Sequence, residues 1–157
     1  MKNIYRTSLS LFFWLFVCQL PALPGKYAVQ QNLAWYHQLV KPPLVPPDVI
    51  FGAVWSLLYL FLGISAFLLF NKGLQDRRKV AILFIGQLVL NIWWTPVFFG
   101  QRQLWLALVL LSVMLAESVW LWKEARAKDR LAALLLVPYA AWLGFACYLN
   151  LGFWLLN

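Results

Sequence analysis

Charged residues are scarce in this chain, since Asp, Glu, Lys and Arg make up 11% of its 157 residues, against roughly 25% in an ordinary soluble domain. Hydrophobic residues make up 64%, which is more apolar surface than a water-soluble fold of this size can bury. A lipid bilayer removes that difficulty, provided that the backbone is hydrogen-bonded internally. The composition therefore excludes an ordinary soluble domain and indicates an integral membrane protein.

Histidine and cysteine are also scarce, with one histidine (His37) and two cysteines (Cys18 and Cys147) in different apolar runs. Their spacing matches no zinc site and places no Cys–His pair for catalysis. Buried cysteines usually behave as small hydrophobic residues, and a disulfide here would require the first and last helices to touch at matching depth. No nucleotide-binding motif is present. We therefore predict no metal site and no required cofactor.

Five apolar runs have the roughly 20 residues needed to cross a bilayer core of about 30 Å. They predict an all-α integral membrane fold, a bundle of five transmembrane helices forming a single domain over residues 1–157. The helices are expected at about 4–23, 49–70, 80–99, 104–122 and 131–155. The first run has an alternative explanation as a cleaved signal peptide, because Lys2 and Arg6 precede it. The absence of a clear small-x-small cleavage site favours its retention.

A proline-rich lid loop is predicted between the first two helices, over about residues 24–48. Four prolines fall within residues 42–47, which makes the chain stiff and extended. Trp35–Val40 could form one short amphipathic turn, and Asp48 suits the start of the next helix. Such a loop can cover the open end of a bundle, although a simple connector is the alternative.

Positive charge is distributed unevenly between the two faces of the predicted bundle. Ten basic residues fall on the side of the N-terminus and three on the other. This asymmetry predicts a cytoplasmic N-terminus and a C-terminus on the opposite side, in a membrane that the sequence does not identify. The basic residues are therefore attributed to topology and anionic lipids rather than to nucleic acid.

Tryptophan is abundant, with ten residues. Those near span ends, such as Trp105, fit an interfacial aromatic belt, but others lie inside spans at helical spacing. Three faces combine aromatic residues with amides or small residues: Trp55, Tyr59 and Gly63; Gln87, Asn91, Trp94 and Phe98; and Pro138, Trp142, Ala146 and Asn150.

The amides in these faces should point inward, because an amide facing lipid is costly. Two explanations remain open for Gln87, Asn91 and Asn150. They either tie helices together or orient a large, flat, hydrophobic ligand in a pocket between helices. Glu117, inside the fourth span, is a second polar candidate; it either has a function, pairs with Lys123 or snorkels to the membrane interface.

Four motifs, in order, resemble the TspO/MBR family of tryptophan-rich sensory and translocator proteins (peripheral-type benzodiazepine receptors), and specifically a bacterial-type member. They are W-Y-x-x-L-x-K-P-x-x-x-P-P at 35–47, F-x-x-x-W-x-x-x-Y at 51–59, Q-x-x-x-N-x-x-W-x-x-x-F-F at 87–99 and P-Y-x-x-W-x-x-F-A-x-x-L-N at 138–150. Together they cover essentially the whole chain.

The resemblance implies a five-helix bundle, often a homodimer, that binds porphyrins such as protoporphyrin IX and haem. It also implies sterols and isoquinoline- or benzodiazepine-type compounds as ligands. Carried over by motif, the site would be lined by Tyr36, Pro46, Trp55, Tyr59, Asn91, Trp94, Trp142 and Ala146. Some bacterial members are reported to promote light-dependent porphyrin breakdown, for which the resemblance points to Trp55 and Trp142.

Two departures from the family pattern matter. Leu44 stands where the family often has tryptophan, and no Lys or Arg follows Tyr148, which argues against high-affinity sterol binding. Three functional classes stay open: a tetrapyrrole receptor or sensor that also aids transport, a light-dependent porphyrin-degrading enzyme, and a structural bundle protein. We favour the receptor, because no acid pair, triad or haem-ligating histidine stands out within the spans.

Overall fold

The computed structural model describes residues 2–71 and 78–157, with side chains from residue 7 onward. These residues form helices and short connections, with no β-strand among them. The helices are α1 (Lys2–Gln19), α2 (Ala22–Gln38), α3 (Asp48–Asn71), α4 (Arg78–Thr95), α5 (Leu104–Arg126) and α6 (Arg130–Leu156), and a π-helical turn (Pro96–Gly100) extends α4.

Five helical stretches are long and apolar enough to cross a membrane: Thr7–Gln38, Asp48–Asn71, Arg78–Gly100, Leu104–Arg126 and Arg130–Leu156. The first combines α1 and α2, which are separated only by a bend at residues 20–21. The prediction of a five-span helical membrane bundle is confirmed. The predicted orientation of the termini stays a prediction.

The predicted lid loop is wrong over its first part, because α2 occupies Ala22–Gln38. Pro24 does not prevent this helix, since the first turn contains backbone N–H groups that need no intrahelical partner. Trp35 and Tyr36 lie in the last turns of α2 rather than in a separate amphipathic turn. The non-helical connection is residues 39–47, called the proline segment below.

The proline segment is held against the end of α6. The Val40 N–H donates to Asn157 Oδ1 at 2.9 Å, and Asn157 Nδ2 donates to the Val40 carbonyl at 3.1 Å. Nearby, the Tyr148 hydroxyl donates to the Pro43 carbonyl at 3.2 Å. These contacts place the segment over one end of the bundle, called the cavity end below.

Helix α1 packs directly on α3, where Gly63 allows a close approach of the two backbones. A Cβ at Gly63 would lie 2.9 Å from the Leu15 Cα. Trp14 stacks on Phe70 with ring centroids 4.8 Å apart, and Cys18 is fully buried. Both cysteines are free. The first apolar run is therefore built into the packed bundle.

The π-helical turn places two aromatic side chains at the cavity end. Pro96 has no N–H to donate along the helix, and its own carbonyl accepts from the Gln101 N–H at 2.9 Å. The wider turn leaves Phe98 and Phe99 buried. Single π turns often occur at functional sites, and this one lies beside the cavities described next.

Candidate ligand cavity

Two cavities lie at the cavity end, with volumes of about 430 Å³ and about 80 Å³. The proline segment lines the smaller one, through Val45 and Pro46, whereas none of its residues lines the larger one. The larger falls in the range of roughly 300–1,000 Å³ that is typical of small-molecule sites. The two share five lining residues and so adjoin each other: Val29, Asp48, Phe51, Trp94 and Phe99.

Aromatic rings from α3 and α4 form much of the wall. Trp55 and Trp94 are stacked with centroids 6.0 Å apart and planes 29° apart, and Tyr59 lies 5.6 Å from Trp55. Phe51 lies 6.4 Å from Trp94. Because flat rings attract one another and other π-systems in offset or edge-on arrangements, this wall suits a planar apolar molecule.

The predicted stripe on α4 is buried along its whole length. Gln87 and Asn91 are each 1% exposed, and Trp94 and Phe98 are also buried. At about 100° per residue, spacings of four, three and four residues return almost to the same face. The predicted inward orientation of the amides is confirmed, since Asn150 is also buried.

The predicted stripe on α6 behaves differently. Its four residues repeat strictly every four positions, so the direction drifts by about 40° at each step. Asn150 and Ala146 are therefore buried, Trp142 is half-buried, and Pro138 is exposed. The drift turns Trp142 away from both cavities, although its ring lies 5.6 Å from that of Phe51.

The buried amides connect helices. Asn91 accepts from the Tyr59 hydroxyl at 2.9 Å and donates to the Tyr139 hydroxyl at 2.8 Å, which joins α3, α4 and α6. Asn150 Nδ2 donates to the Leu104 carbonyl at 2.8 Å. The explanation that these amides tie helices together therefore fits Asn91 and Asn150, although Asn150 also lines the smaller cavity.

Six of the eight predicted site residues line the cavities. Tyr36, Pro46, Trp94 and Ala146 line the smaller one, and Trp55, Tyr59 and Trp94 line the larger one. Asn91 and Trp142 line neither, but each contacts a residue that does: Tyr59 and Phe51, respectively.

Two buried indole nitrogens stand out because they lack partners. Trp55 Nε1 and Trp142 Nε1 are inaccessible to solvent and have no hydrogen-bond partner among the described residues. Native structures rarely leave a buried donor unpaired, because it loses its bond to water and gains nothing. Trp55 lines the larger cavity, although its Nε1 is itself closed off from solvent.

One face of α2 also lines the larger cavity and was missed by sequence reasoning. Its residues recur at helical spacing: Pro21, Ala22, Gly25, Lys26, Val29 and Gln30. That periodicity was the available signal, but it has meaning only once this segment is recognised as helical. The charge distribution attributes Lys26 to membrane topology, but in the structure Lys26 lines the larger cavity. It is the positively charged residue of that lining, and Asp48 is the negatively charged one.

Glu117 lies away from these cavities, on α5. Its carboxyl packs against Gly86 of α4, where a Cβ would meet Glu117 Oε1. Glu117 Oε2 is buried without a partner, and no ion pair with Lys123 occurs among the described residues. Of the alternatives for Glu117, pairing with Lys123 is therefore not seen, and snorkelling and a functional role stay open.

Five helical stretches that are long and apolar enough to cross a membrane define this chain as a multi-pass integral membrane protein, and its interior holds a cavity with an aromatic wall. More particularly, the chain belongs to the TspO/MBR family, whose model matches residues 12–155. This membership supports a role as a membrane sensor or receptor.

Named relatives come from distant organisms. The chain is 39% identical to the Translocator protein of Homo sapiens, over 83% of this chain and 79% of that protein. It is 38% identical to Protein CrtK of Rhodobacter capsulatus, over 96% and 94%. It is 33% identical to the Tryptophan-rich protein TspO of Archaeoglobus fulgidus, over 83% and 85%.

Proposed function

We propose that this protein is a membrane receptor that binds porphyrins, such as protoporphyrin IX, and related flat hydrophobic ligands in the larger cavity. The observation that carries the proposal is the aromatic wall of the larger cavity, in which the rings of Trp55 and Trp94 are stacked with centroids 6.0 Å apart. A favourable aromatic pair contributes about 0.5–1.5 kcal/mol beyond the burial of its surface. A flat conjugated ligand that stacks on this wall gains such contacts.

The shape and polarity of the wall support a flat ligand. The stacked pair Trp55 and Trp94 presents π faces, and Phe51 extends the same surface. Apolar walls with a few polar groups are typical of small-molecule pockets, where the polar groups set orientation. A conjugated macrocycle matches such a wall by stacking.

Charge at the cavity favours a ligand with a carboxylate. Asp48 is bonded to His37 Nε2 at 2.9 Å, whereas Lys26 has no anionic partner among the described residues. Both line the larger cavity. An ammonium at the exposed rim can meet a propionate-type carboxylate while the ring system occupies the apolar interior.

The test is a titration of the purified protein with protoporphyrin IX, followed by tryptophan fluorescence and the porphyrin absorption spectrum. We expect saturable quenching in the wild type. Trp55→Phe should weaken binding about tenfold, because the smaller ring offers less stacking surface in the cavity wall. Trp93→Phe is the matched control, since Trp93 is 56% exposed, next to the buried Trp94, and should leave binding unchanged.

Absence of both quenching and a bound spectrum in the wild type would overturn the proposed function. Equal weakening by Trp55→Phe and Trp93→Phe would show that binding occurs elsewhere, on the lipid-facing surface. Lys26→Gln gives a second test. It should lower the affinity for a dicarboxylic porphyrin more than the affinity for the dimethyl ester of that porphyrin.

Light-dependent porphyrin breakdown is the second candidate function. The position of Trp55 in the cavity wall favours it, because an oxidisable indole would lie in contact with an excited porphyrin. The same titration run in the dark and under illumination separates the two functions. A product that forms only in light and is lost in Trp55→Phe would support the enzyme.

A further inference from the structure

A carboxyl group lies near the middle of the bundle, at the contact between α4 and α5. Glu117 is the fourteenth residue of the stretch Leu104–Arg126, and Gly86 is the ninth residue of the stretch Arg78–Gly100. At a rise of about 1.5 Å per residue, each lies within about 5 Å of the middle of its helical stretch. The contact between them is therefore at the depth where a charged side chain is most costly in a membrane.

Gly86 provides the space that the carboxyl group occupies, called the glycine notch below. A Cβ at Gly86 would collide with Glu117 Oε1 and would lie 2.9 Å from Glu117 Cδ. Glu117 Oε2 is buried. The side chain is thus folded onto the backbone of α4 and does not extend along its own helix toward the membrane interface, as a snorkelling side chain would.

The side chains around the glycine notch do not provide the donors that an ionised carboxylate needs. A carboxylate can only accept hydrogen bonds, and Glu117 Oε2 receives none from the described residues. Gln87, next to the notch on α4, donates through Nε2 to the Met114 carbonyl at 2.7 Å. Tyr139 of α6 interacts electrostatically with Glu117, but its hydroxyl hydrogen is donated to Gln87 Oε1 at 2.9 Å.

The nearest described basic residue on each of these helices is also remote from the carboxyl group. On α5, Lys123 lies six residues after Glu117, about 9 Å along the helix and about 240° around it. On α4, Arg78 and Lys79 precede the notch by about 10–12 Å. On α6, Arg130 lies about 14 Å along the helix from the tyrosine that interacts with Glu117. A buried carboxyl group without donors or a counter-ion is more stable as the uncharged acid.

We propose that Glu117 in the glycine notch is a proton-binding site within the membrane, which holds its proton at neutral pH and weakens the packing of α4 on α5 when the proton is lost. As the uncharged acid, Glu117 fits the notch without a counter-ion. As the carboxylate, it reaches water only by leaving the notch. The site lines neither cavity, so this inference does not depend on porphyrin binding.

Infrared spectroscopy of the full-length protein in detergent tests the protonation state directly. The C=O stretch of a protonated carboxylic acid is separate from the bands of carboxylates and amides. The difference spectrum between the wild type and Glu117→Gln at pH 7 should contain an acid band that shifts in D₂O. Carboxylate bands in its place would overturn the proposal.

Glu124→Gln is the matched control for the infrared measurement. Glu124 lies two turns after Glu117 on the same helix, near the end of the stretch, where Trp120 Nε1 donates to its Oε1 at 3.4 Å. Its difference spectrum should contain carboxylate bands. An acid band that appears equally in both difference spectra would show that the signal is not specific to the glycine notch, and would also overturn the proposal.

The effect of pH on folding gives a second test. A glutamate in the unfolded chain is ionised at pH 7, whereas the folded chain would hold the proton, so unfolding would release one proton. Stability should therefore fall as pH rises. Relative to Glu117→Gln, the unfolding equilibrium constant of the wild type should rise about tenfold per pH unit between about pH 5.5 and pH 7. The same pH dependence in both proteins would contradict the proposal.

Gly86→Ala tests the notch itself, because the added methyl group takes the space of the carboxyl group. It should raise the unfolding equilibrium constant about tenfold in the wild type, but less than about threefold in a Glu117→Ala background. Gly144→Ala is the control, since a Cβ there meets nothing within 4 Å, and it should act equally in both backgrounds. Equal effects of Gly86→Ala would overturn the notch. Should no Gly86→Ala protein fold, the infrared spectra decide.

Discussion

Two regions of the bundle interior, one around Tyr139 and the other at the cavity end, differ in how their polar groups are paired. Around Tyr139, the buried hydroxyls and amides are paired with one another or with a backbone carbonyl. At the cavity end, Trp55 Nε1 is buried without a partner among the described residues, and the Trp55 side chain lines a cavity of about 430 Å³. We call the first region the hydrogen-bonded core.

This difference indicates how the bundle divides its tasks. A fully paired polar network stabilises one arrangement of helices, whereas a cavity with an aromatic wall gives up packing and leaves apolar surface for a ligand to cover. The two regions meet at Tyr59, which lines the larger cavity and donates into the core. Stability should therefore depend on the core, and ligand affinity on the cavity end.

The largest loss of stability is expected for Tyr139→Phe. Its hydroxyl is fully buried and bonded to both Asn91 and Gln87, so its removal leaves a buried donor and a buried acceptor unpaired. We expect a loss of about 2–3 kcal/mol in the free energy of unfolding, measured by denaturation in detergent. Tyr148→Phe, which loses an exposed bond to Pro43, should cost less than about 1 kcal/mol; equal losses would contradict the comparison.

Two glycines on α3 extend the comparison along one helix. A Cβ at Gly63 would lie 2.9 Å from the Leu15 Cα, so Gly63→Ala forces α1 away and should cost about 1–3 kcal/mol. Gly52 lines the larger cavity and has nothing within 4 Å of an added Cβ. Gly52→Ala should therefore leave stability unchanged or raise it by up to about 1 kcal/mol. Thermal unfolding of both variants checks this, and a greater loss at Gly52 would show that the packed and open parts are assigned the wrong way round.

Asn157→Ala should affect ligand exchange more than stability. It removes both hydrogen bonds that join residue 157 to Val40 of the proline segment. Loosening that segment should speed porphyrin dissociation about tenfold, while the free energy of unfolding falls by no more than about 1 kcal/mol. Stopped-flow displacement gives the dissociation rate. Unchanged dissociation would mean that the segment does not cover the route by which ligand leaves.

The regularity of the core made it easier to predict than the cavity end. The amides Gln87 and Asn91 recur on one face of a long apolar span, and the cost of exposing them to lipid fixes their direction. Their partners could not be predicted, because Tyr139 and Met114 come from other helices whose rotation depends on packing. Local spacing alone thus gave the orientation but not the network.

At the cavity end, local rules gave a wrong boundary. Pro21, Pro24 and Gly25 indicated the end of a helix, yet α2 begins at Ala22 and contributes a wall of the larger cavity. Proline excludes a helix only beyond its first turn, so the same residues fit either a helix end or a helix start. Tertiary contact decided between them, with Gly25 packed beside Thr95.

The smallest effect is expected at Leu44, which has a φ of 66° and is 77% exposed in the proline segment. Leucine is strained in this left-handed conformation and glycine is not. Leu44→Gly should therefore be more stable than Leu44→Ala by about 0.5–1 kcal/mol, since both remove the side chain and only glycine relieves the backbone. Chemical denaturation compares the two variants. If they unfold identically, the segment does not unfold together with the core, and the cavity end would then be a separately opening part of the bundle.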